Sequence, residues 1–353
     1  MNFDLSEEQR LLQSTAGQWF SDRFAPADMR RLLADDGQCV DRAALADMGF
    51  LGMLVDPAHG GGGLSVLDLA VVAEQAGRVL APVPLVSTSA EAVVLLRGIG
   101  GRHAEALLQS IAAGRELVTL VDGVFADGDT VSGTSRPALG ADEATVYLLL
   151  IGEANRRSLA QVRRGPDASP VSQPALDPTR AMARVRLEHA RIAPLGSGGA
   201  VDSALARARC VAMSVLAAED LGAAARCLEL AVAYGGERVA FGRPVGSYQA
   251  IKHLCVDMFV LVEQLRSLVW FAAWAADHDP EQLPMAAAAA KGYAADAFER
   301  CAEACIQVHG GIGFTWEHDA HLFWRRAKVD RLLYGDAAAH RDVVAEAALA
   351  TVS

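Results

Sequence analysis

Arg238, Phe241 and Gln249 share one ungapped run, Arg238-Val-Ala-Phe241-Gly242-Arg-Pro-Val-Gly-Ser-Tyr-Gln249. Their chemistries are complementary: a planar guanidinium chelates oxyanions, a phenyl ring presents an aromatic face, and a carboxamide both donates and accepts. Taken singly, Arg238 reads as a surface-loop residue and Gln249 as a helix start. A second run, Gln307-Val-His-Gly310-Gly311-Ile-Gly313, sets glycines where the backbone can approach a neighbouring group with no Cβ in the way. It follows a helical pattern and lacks Gly-x-Gly-x-x-Gly spacing, which excludes a Rossmann-type fingerprint. Cys301, Cys305 and His309 recur at i, i+4 and i+8 on one helix face. A tetrahedral metal would need a further ligand from a second element, and none is evident, so packing is the better reading. His59-Gly60-Gly61-Gly62-Gly63 is not followed by Lys-Ser/Thr and reads as a flexible connection between helices rather than a phosphate loop.

The elements that must position these residues follow from composition and periodicity. A chain of 353 residues forms one large unit or two to three packed parts. With 52% hydrophobic and 21% charged residues, it is neither disordered nor fibrous, and its many alanines favour helices. A net charge of −11 without any Lys/Arg block argues against a nucleic-acid partner. The opening MNFDLSEEQR carries acids where a signal peptide needs a basic stretch, and no apolar run approaches membrane-spanning length, so a cytoplasmic location is expected. Cys39, Cys210, Cys227, Cys255, Cys301 and Cys305 form no Cys-x-x-Cys pair and are expected as reduced, mainly buried thiols.

Ser6 and Gln9 predict a capping box before LLQSTAGQWF, and further helices are expected at 41–48 and 66–78. Between Glu116 and Leu195, short β-type runs (LVTLV, TVYLLLI, ARVRL) broken by Gly, Pro, Asp and Ser predict a small β domain. Helical periodicity returns from Val201. The series Ile251, Leu254, Met258, Leu261, Leu265, Leu268 and Ala272 predicts the inward stripe of a long bundle helix. The expected fold is mainly α with a small central β domain: a helical domain at 1–115, a shortened β domain at 116–198 and a helical bundle at 199–353. That order excludes a regular βαβ alternation.

The Arg-(x)2-Phe-Gly-(x)6-Gln run, the Gln-x-x-Gly-Gly-x-Gly turn, Arg325-Arg326-Ala327-Lys328, the opening DLSEEQ and Gly49-Phe-Leu-Gly52 together resemble the acyl-CoA dehydrogenase family over almost the whole chain. The resemblance implies FAD as cofactor, an acyl-CoA substrate undergoing α,β-desaturation and electron-transfer flavoprotein as electron acceptor. It assigns Arg238, Phe241, Gln249, Gln307, Gly310 and Gly311 to the ADP half of FAD held mainly by a neighbouring subunit.

Two departures stand out. The reaction needs a carboxylate at the substrate α-carbon, and the family's two seats for that Glu fall on Tyr334 and Ala212. Asp336 is the nearest acid to the first seat and reads better as a helix cap than as a displaced base; Glu219 and Asp220 read as a solvated or interhelical pair. The family's Thr-Glu-Pro-like loop and Trp-Ile-Thr/Ser strand, which hold the flavin ring, are missing, although Asp177-Pro-Thr-Arg180 resembles a later piece of that domain. This asymmetry resembles the smaller subunit of bacterial α2β2 acyl-CoA dehydrogenases acting on steroids and related bulky acyl-CoAs, and implies a longer partner subunit. A self-sufficient homo-oligomer using Asp336, a scaffold without flavin, and a flavin monooxygenase of the same fold are the rival readings.

Overall fold

The computed structural model describes residues 4–24, 41–154, 156–180 and 182–350; Cys39 lies outside them. The chain forms two compact units, one built from residues 1–36, 70–81 and 213–353, the other from 37–69 and 82–212.

In the first unit, helix α1 (Glu7–Arg23) opens with the expected capping box, Ser6 Oγ accepting from the Gln9 N–H and the Gln9 side chain from the Ser6 N–H. Helix α2 (Arg42–Asp47) belongs to the second unit, where the Asp41 carboxylate caps it through the Ala44 N–H. Helix α3 (Val66–Arg78) begins behind Ser65, whose hydroxyl and N–H both meet the Asp68 carboxylate.

The glycine run between α2 and α3 is pinned, which corrects the expectation of a flexible connection. The N–H groups of Gly62, Gly63 and Leu64 donate to the carbonyls of Gly52, Val55 and Met53 at 2.9, 2.8 and 2.7 Å. A Cβ on Gly61 would stand 2.2 Å from the Val55 carbonyl, so only glycine permits the fold-back.

A buried π-helical stretch, Leu85–Ala92, leads into α4 (Val93–Ile99) and α5 (Arg102–Ala112). Strands then follow where β-type runs were expected: β1 (Val118–Asp127), β2 (Thr130–Thr134), β3 (Ala138–Leu139), β4 (Val146–Ile151), β5 (Ser158–Arg163), β6 (Ala168–Ser172), β7 (Met182–Arg191) and β8 (Ala193–Ser197). The sheet order is β3-β7-β2-β1-β4-β5-β8 with β6 on β7; β1 and β4 run parallel (Leu120 beside Leu148), and the other pairs are antiparallel. Alternating residues of β7 (Ala183, Val185, Leu187) enter a core around the fully buried Tyr147, whose hydroxyl donates to the Ala141 carbonyl, as period-2 burial requires.

Helix α6 (Gly199–Glu237) is followed by a hairpin of β9 (Val239–Ala240) and β10 (Arg243–Pro244), then α7 (Gln249–His278), α8 (Leu283–His309), α9 (Ala320–Asp330) and α10 (Ala337–Ala350). The helical–sheet–helical order is thus the one expected. In the first unit α3 and α6 meet backbone on backbone: a Cβ on Gly77 would lie 1.9 Å from the Glu219 carbonyl, and one on Gly222 1.8 Å from that of Glu74. On α7 the buried line runs through Met258, Val262, Leu265, Val269, Ala272 and Ala276. Met258, Leu265 and Ala272 lie on the expected stripe, whereas Leu261 and Leu268 are only half buried and Val262 and Val269 turn inward in their place.

Candidate functional site

Arg238 follows the last turn of α6, its N–H still bonded to the Tyr234 carbonyl at 2.9 Å. The next residues fold into the two-residue hairpin, with Ala240 opposite Arg243 and Val239 opposite Pro244. Both loop residues have positive φ, +50° at Phe241 and +79° at Gly242, the geometry whose twist matches a tight hairpin. Glycine adopts it freely, whereas a bulky residue there is strained. Phe241 carries that strain while 97% exposed, so its ring gains almost no packing against the described residues in return.

The hairpin is braced from below. Tyr248 donates its hydroxyl to the Ala240 carbonyl at 3.1 Å and lies 4.0 Å beneath the Arg243 guanidinium. Gly246 packs against the Gly235 backbone, where a Cβ would come to 2.8 Å of the carbonyl oxygen. Gln249, exposed, starts α7 directly after Tyr248.

The end of α8 is joined to this hairpin by ring packing. His309 lies 4.4 Å from Tyr234, one turn before Arg238, and 4.2 Å from His318. Gln307 is exposed, Gly310 caps α8 at φ +64°, and a Cβ on Gly310 or Gly311 would meet nothing within 4 Å. One end of the helical unit therefore gathers Arg238, Phe241, Gln249, Gln307, Gly310 and Gly311. Among the described residues no ion pair or hydrogen bond engages the side chains of Arg238, Gln249 or Gln307.

Asp336 is placed apart from that group. Its carboxylate accepts from the Ala339 N–H at 2.9 Å at the start of α10, and that hydrogen bond holds its pKa below the usual carboxylate value. The geometry is that of a helix cap. Tyr334 and Gly335 immediately before it both take positive φ, +59° and +105°, and Ala212 is fully buried in α6.

Sequence reasoning missed what stands behind the Tyr334–Gly335 turn. Lys291 of α8 is fully buried among Asp220 of α6 and Asp330 of α9, both buried as well. Burial drives the Lys291 pKa down, and the two aspartates oppose the shift. Half of this cluster was visible in the sequence as Glu219-Asp220, but both residues are buried, which corrects the solvated reading. Its partner Lys291 is 71 positions away, and nothing in the local pattern joins the two. His340 of α10 is buried beside it; burial, then the Lys291 charge, lower its pKa, while hydrogen bonds to the backbone of Gly335 and Tyr334 act the other way.

A separate cavity of about 270 Å³ opens between α1, α3, α6 and α9, with Phe24, Leu80, Leu230 and Phe323 on its apolar side. The two arginines on its wall, Arg78 and Arg226, both reach the Glu229 carboxylate, at 2.7 and 3.3 Å. Among the described residues no group of His, Cys, Asp and Glu is arranged to hold a metal, and no helix is long and apolar enough to cross a membrane.

Residues 6–114 match the acyl-CoA dehydrogenase N-terminal domain and residues 196–349 its C-terminal domain. The acyl-CoA dehydrogenase IpdE2 of Mycobacterium tuberculosis is 34% identical over 325 residues, 91% of each chain. The chain belongs to the acyl-CoA dehydrogenase family. Two solved relatives have the same fold along nearly their whole length. The Tcur3481-Tcur3483 steroid ACAD is 26% identical at a TM-score of 0.87, with 98% of this chain and 99% of that chain covered. The ChsE4-ChsE5 complex from Mycobacterium tuberculosis superposes at a TM-score of 0.88 with 23% identity, covering 98% of both chains.

Proposed function

We propose that this acyl-CoA dehydrogenase family member is a subunit that completes the FAD site of a longer catalytic partner. Together they would carry out the α,β-desaturation of a bulky acyl-CoA thioester, with electron-transfer flavoprotein taking up the electrons. The carrying observation is the strained, fully presented Phe241 beside Arg238, Gln249 and Gln307, whose side chains find no partner among the described residues. Such a set fits the ADP half of FAD: the guanidinium suits the pyrophosphate, the phenyl ring an aromatic contact, and the carboxamides the polar edges of the cofactor. The open space over Gly310 and Gly311 leaves room for the dinucleotide to come close to the backbone.

The chemistry FAD supplies when bound is acceptance of the substrate's β-hydrogen as hydride. Removal of the α-proton needs a carboxylate, and this chain has Tyr334 and Ala212 at the family's two seats. Asp336 is engaged as a helix cap with a lowered pKa, which disfavours it as a base at the α-carbon. The base is therefore assigned to the partner. Relatives that are a steroid ACAD and a two-component complex support both the heteromeric reading and a steroid-like acyl group. The division into a helical domain at 1–115, a β domain at 116–198 and a bundle at 199–353 belongs to this reading, with the bundle presenting the FAD contacts.

The test is to purify the chain alone and co-expressed with its partner, then count flavins per tetramer after gel filtration. The expected result is a colourless, inactive chain and two flavins in the complex. In that complex Arg238→Ala should weaken FAD retention about ten- to a hundredfold, since a charge-assisted phosphate contact contributes roughly 1.5–3 kcal/mol. Four flavins per tetramer, or turnover by the chain alone, would overturn the proposal.

A further inference from the structure

The cavity of about 270 Å³ between α1, α3, α6 and α9 shares no residue with the group assigned to FAD, and ordinary packing does not account for its wall. Gln75 of α3 is only 8% exposed, yet its carboxamide makes no hydrogen bond among the described residues. Burying such a group unpaired is costly. Its oxygen faces Gly17 of α1, where a Cβ would stand 3.2 Å away, and both residues line the cavity. The space that a side chain at position 17 would fill is therefore left open in front of a carboxamide able to donate and to accept.

The apolar wall is strained and held. Leu80 takes φ +54°, and its N–H and that of Ala81 bond back to the Gly77 and Ala76 carbonyls at 3.1 and 3.0 Å. A helix end of this kind usually takes glycine, and a leucine there bears left-handed strain. The Leu80 side chain is nonetheless 3% exposed on the cavity wall, while its carbonyl accepts from the buried Arg326 guanidinium at 3.2 Å. The walls also have no room to close in. At Gly77 and Gly222 the backbones of α3 and α6 already touch, so neither helix can approach the other to take up the space.

Size and charge define the occupant. An apolar cavity of ~150 Å³ takes up benzene; not quite twice that room is present here. Arg78 meets both Glu229 oxygens, at 2.8 and 2.7 Å, and Arg226 meets one of them at 3.3 Å. Asp319 adds a second carboxylate at the wall. Two positive charges thus stand against two negative ones, which leaves no net charge to hold an ion. We infer that this cavity is a binding site for a neutral, mainly apolar molecule of about ten or eleven heavy atoms, whose single hydroxyl or carbonyl group pairs with the Gln75 carboxamide.

The test is a fluorescence titration of the purified full-length chain with three probes: β-naphthol, which has the size and one hydroxyl; naphthalene, which lacks the hydroxyl; and β-naphthoate, which carries a charge. The wild-type chain should bind β-naphthol about three- to tenfold more tightly than naphthalene, the range that one neutral hydrogen bond supplies, and β-naphthoate more weakly than either. Gln75→Leu keeps the volume and removes the amide, so the preference for the naphthol should vanish while naphthalene binds as before. Gly17→Leu puts a side chain into the open space and should weaken both neutral probes about tenfold or more, with an unchanged far-UV circular dichroism spectrum. The comparison of probes on the wild-type chain stands even where a variant fails to fold. No binding of either neutral probe, tighter binding of β-naphthoate, a naphthol preference that survives in Gln75→Leu, or undiminished binding by a folded Gly17→Leu would overturn the inference.

Discussion

Phe241-Gly242 and Tyr334-Gly335 are the same local device used twice, an aromatic residue at positive φ followed by a glycine at positive φ. Their surroundings differ. The first pair projects at the tip of a hairpin with the ring almost fully in solvent, and its neighbours Arg238 and Gln249 find no partner among the described residues. The second is backed by the buried His340 and, behind it, by Lys291, Asp220 and Asp330. Strain supported from within is a matter of folding; strain left at a surface points to something that arrives from outside.

The comparison breaks most readily at its buried side. Lys291→Met removes the buried cation whose charge acts on Asp220 and Asp330, and losing one member of a buried charged group costs roughly 3–5 kcal/mol. Denaturant unfolding of the variant should show a loss of that size, and adding Asp220→Asn should recover part of it. A loss below about 1 kcal/mol would mean that the cluster does not support the turn. The exposed side should behave oppositely. Phe241→Gly removes the left-handed strain and should leave the isolated chain more stable by up to about 1 kcal/mol, while weakening FAD retention in the complex. Destabilisation of the isolated chain would show that the ring packs internally.

A third measurement sharpens the contrast through pH. Because the folded His340 pKa lies below its ordinary value of 6.5, the unfolded chain binds that proton more readily. Stability should therefore be fullest above about pH 6.5 and fall as the pH drops from there towards the folded pKa. His340→Gln should flatten that slope in unfolding midpoints taken across this window, and an unchanged slope would assign it to other groups. The smallest effect is expected from Tyr334→Glu, which restores the family's carboxylate to the turn. With the flavin-ring loop missing, the isolated variant should show no acyl-CoA oxidation in a dye-reduction assay, and measurable turnover would reveal a more complete site than proposed.

How far these features could be read beforehand depended on whether the cause was local. The Ser6–Gln9 box, the helix at 41–48 and the β-type run ARVRL are set by neighbours within a few residues and were legible. The α7 stripe was legible as a helix and at Met258, Leu265 and Ala272, but not at the turns between them: Leu261 and Val262, like Leu268 and Val269, are equally apolar neighbours, and which one turns inward is decided by the helices packed against them. The glycines at 60–63 looked like freedom and are confinement, because the carbonyls that hold them belong to Gly52, Met53 and Val55. Glu219 and Asp220 read as a solvated or interhelical pair; both are buried, and the lysine whose charge acts on Asp220 stands on another helix. At the candidate site the residue types were visible in the sequence, whereas the tying of Arg238 to the Gly310 turn depends on the Tyr234–His309 ring contact.

The crossing of α3 over α6 at Gly77 and Gly222 carries one more consequence. Where two backbones meet directly, no layer of side chains lies between them to rearrange, and almost no void volume is left. Hydrostatic pressure unfolds proteins by eliminating such voids, so it has little to gain at this point. Under compression the α3–α6 junction should be among the last contacts of the helical unit to part, and the variant Gly222→Ala, which would force the two backbones apart, should make the protein more sensitive to pressure.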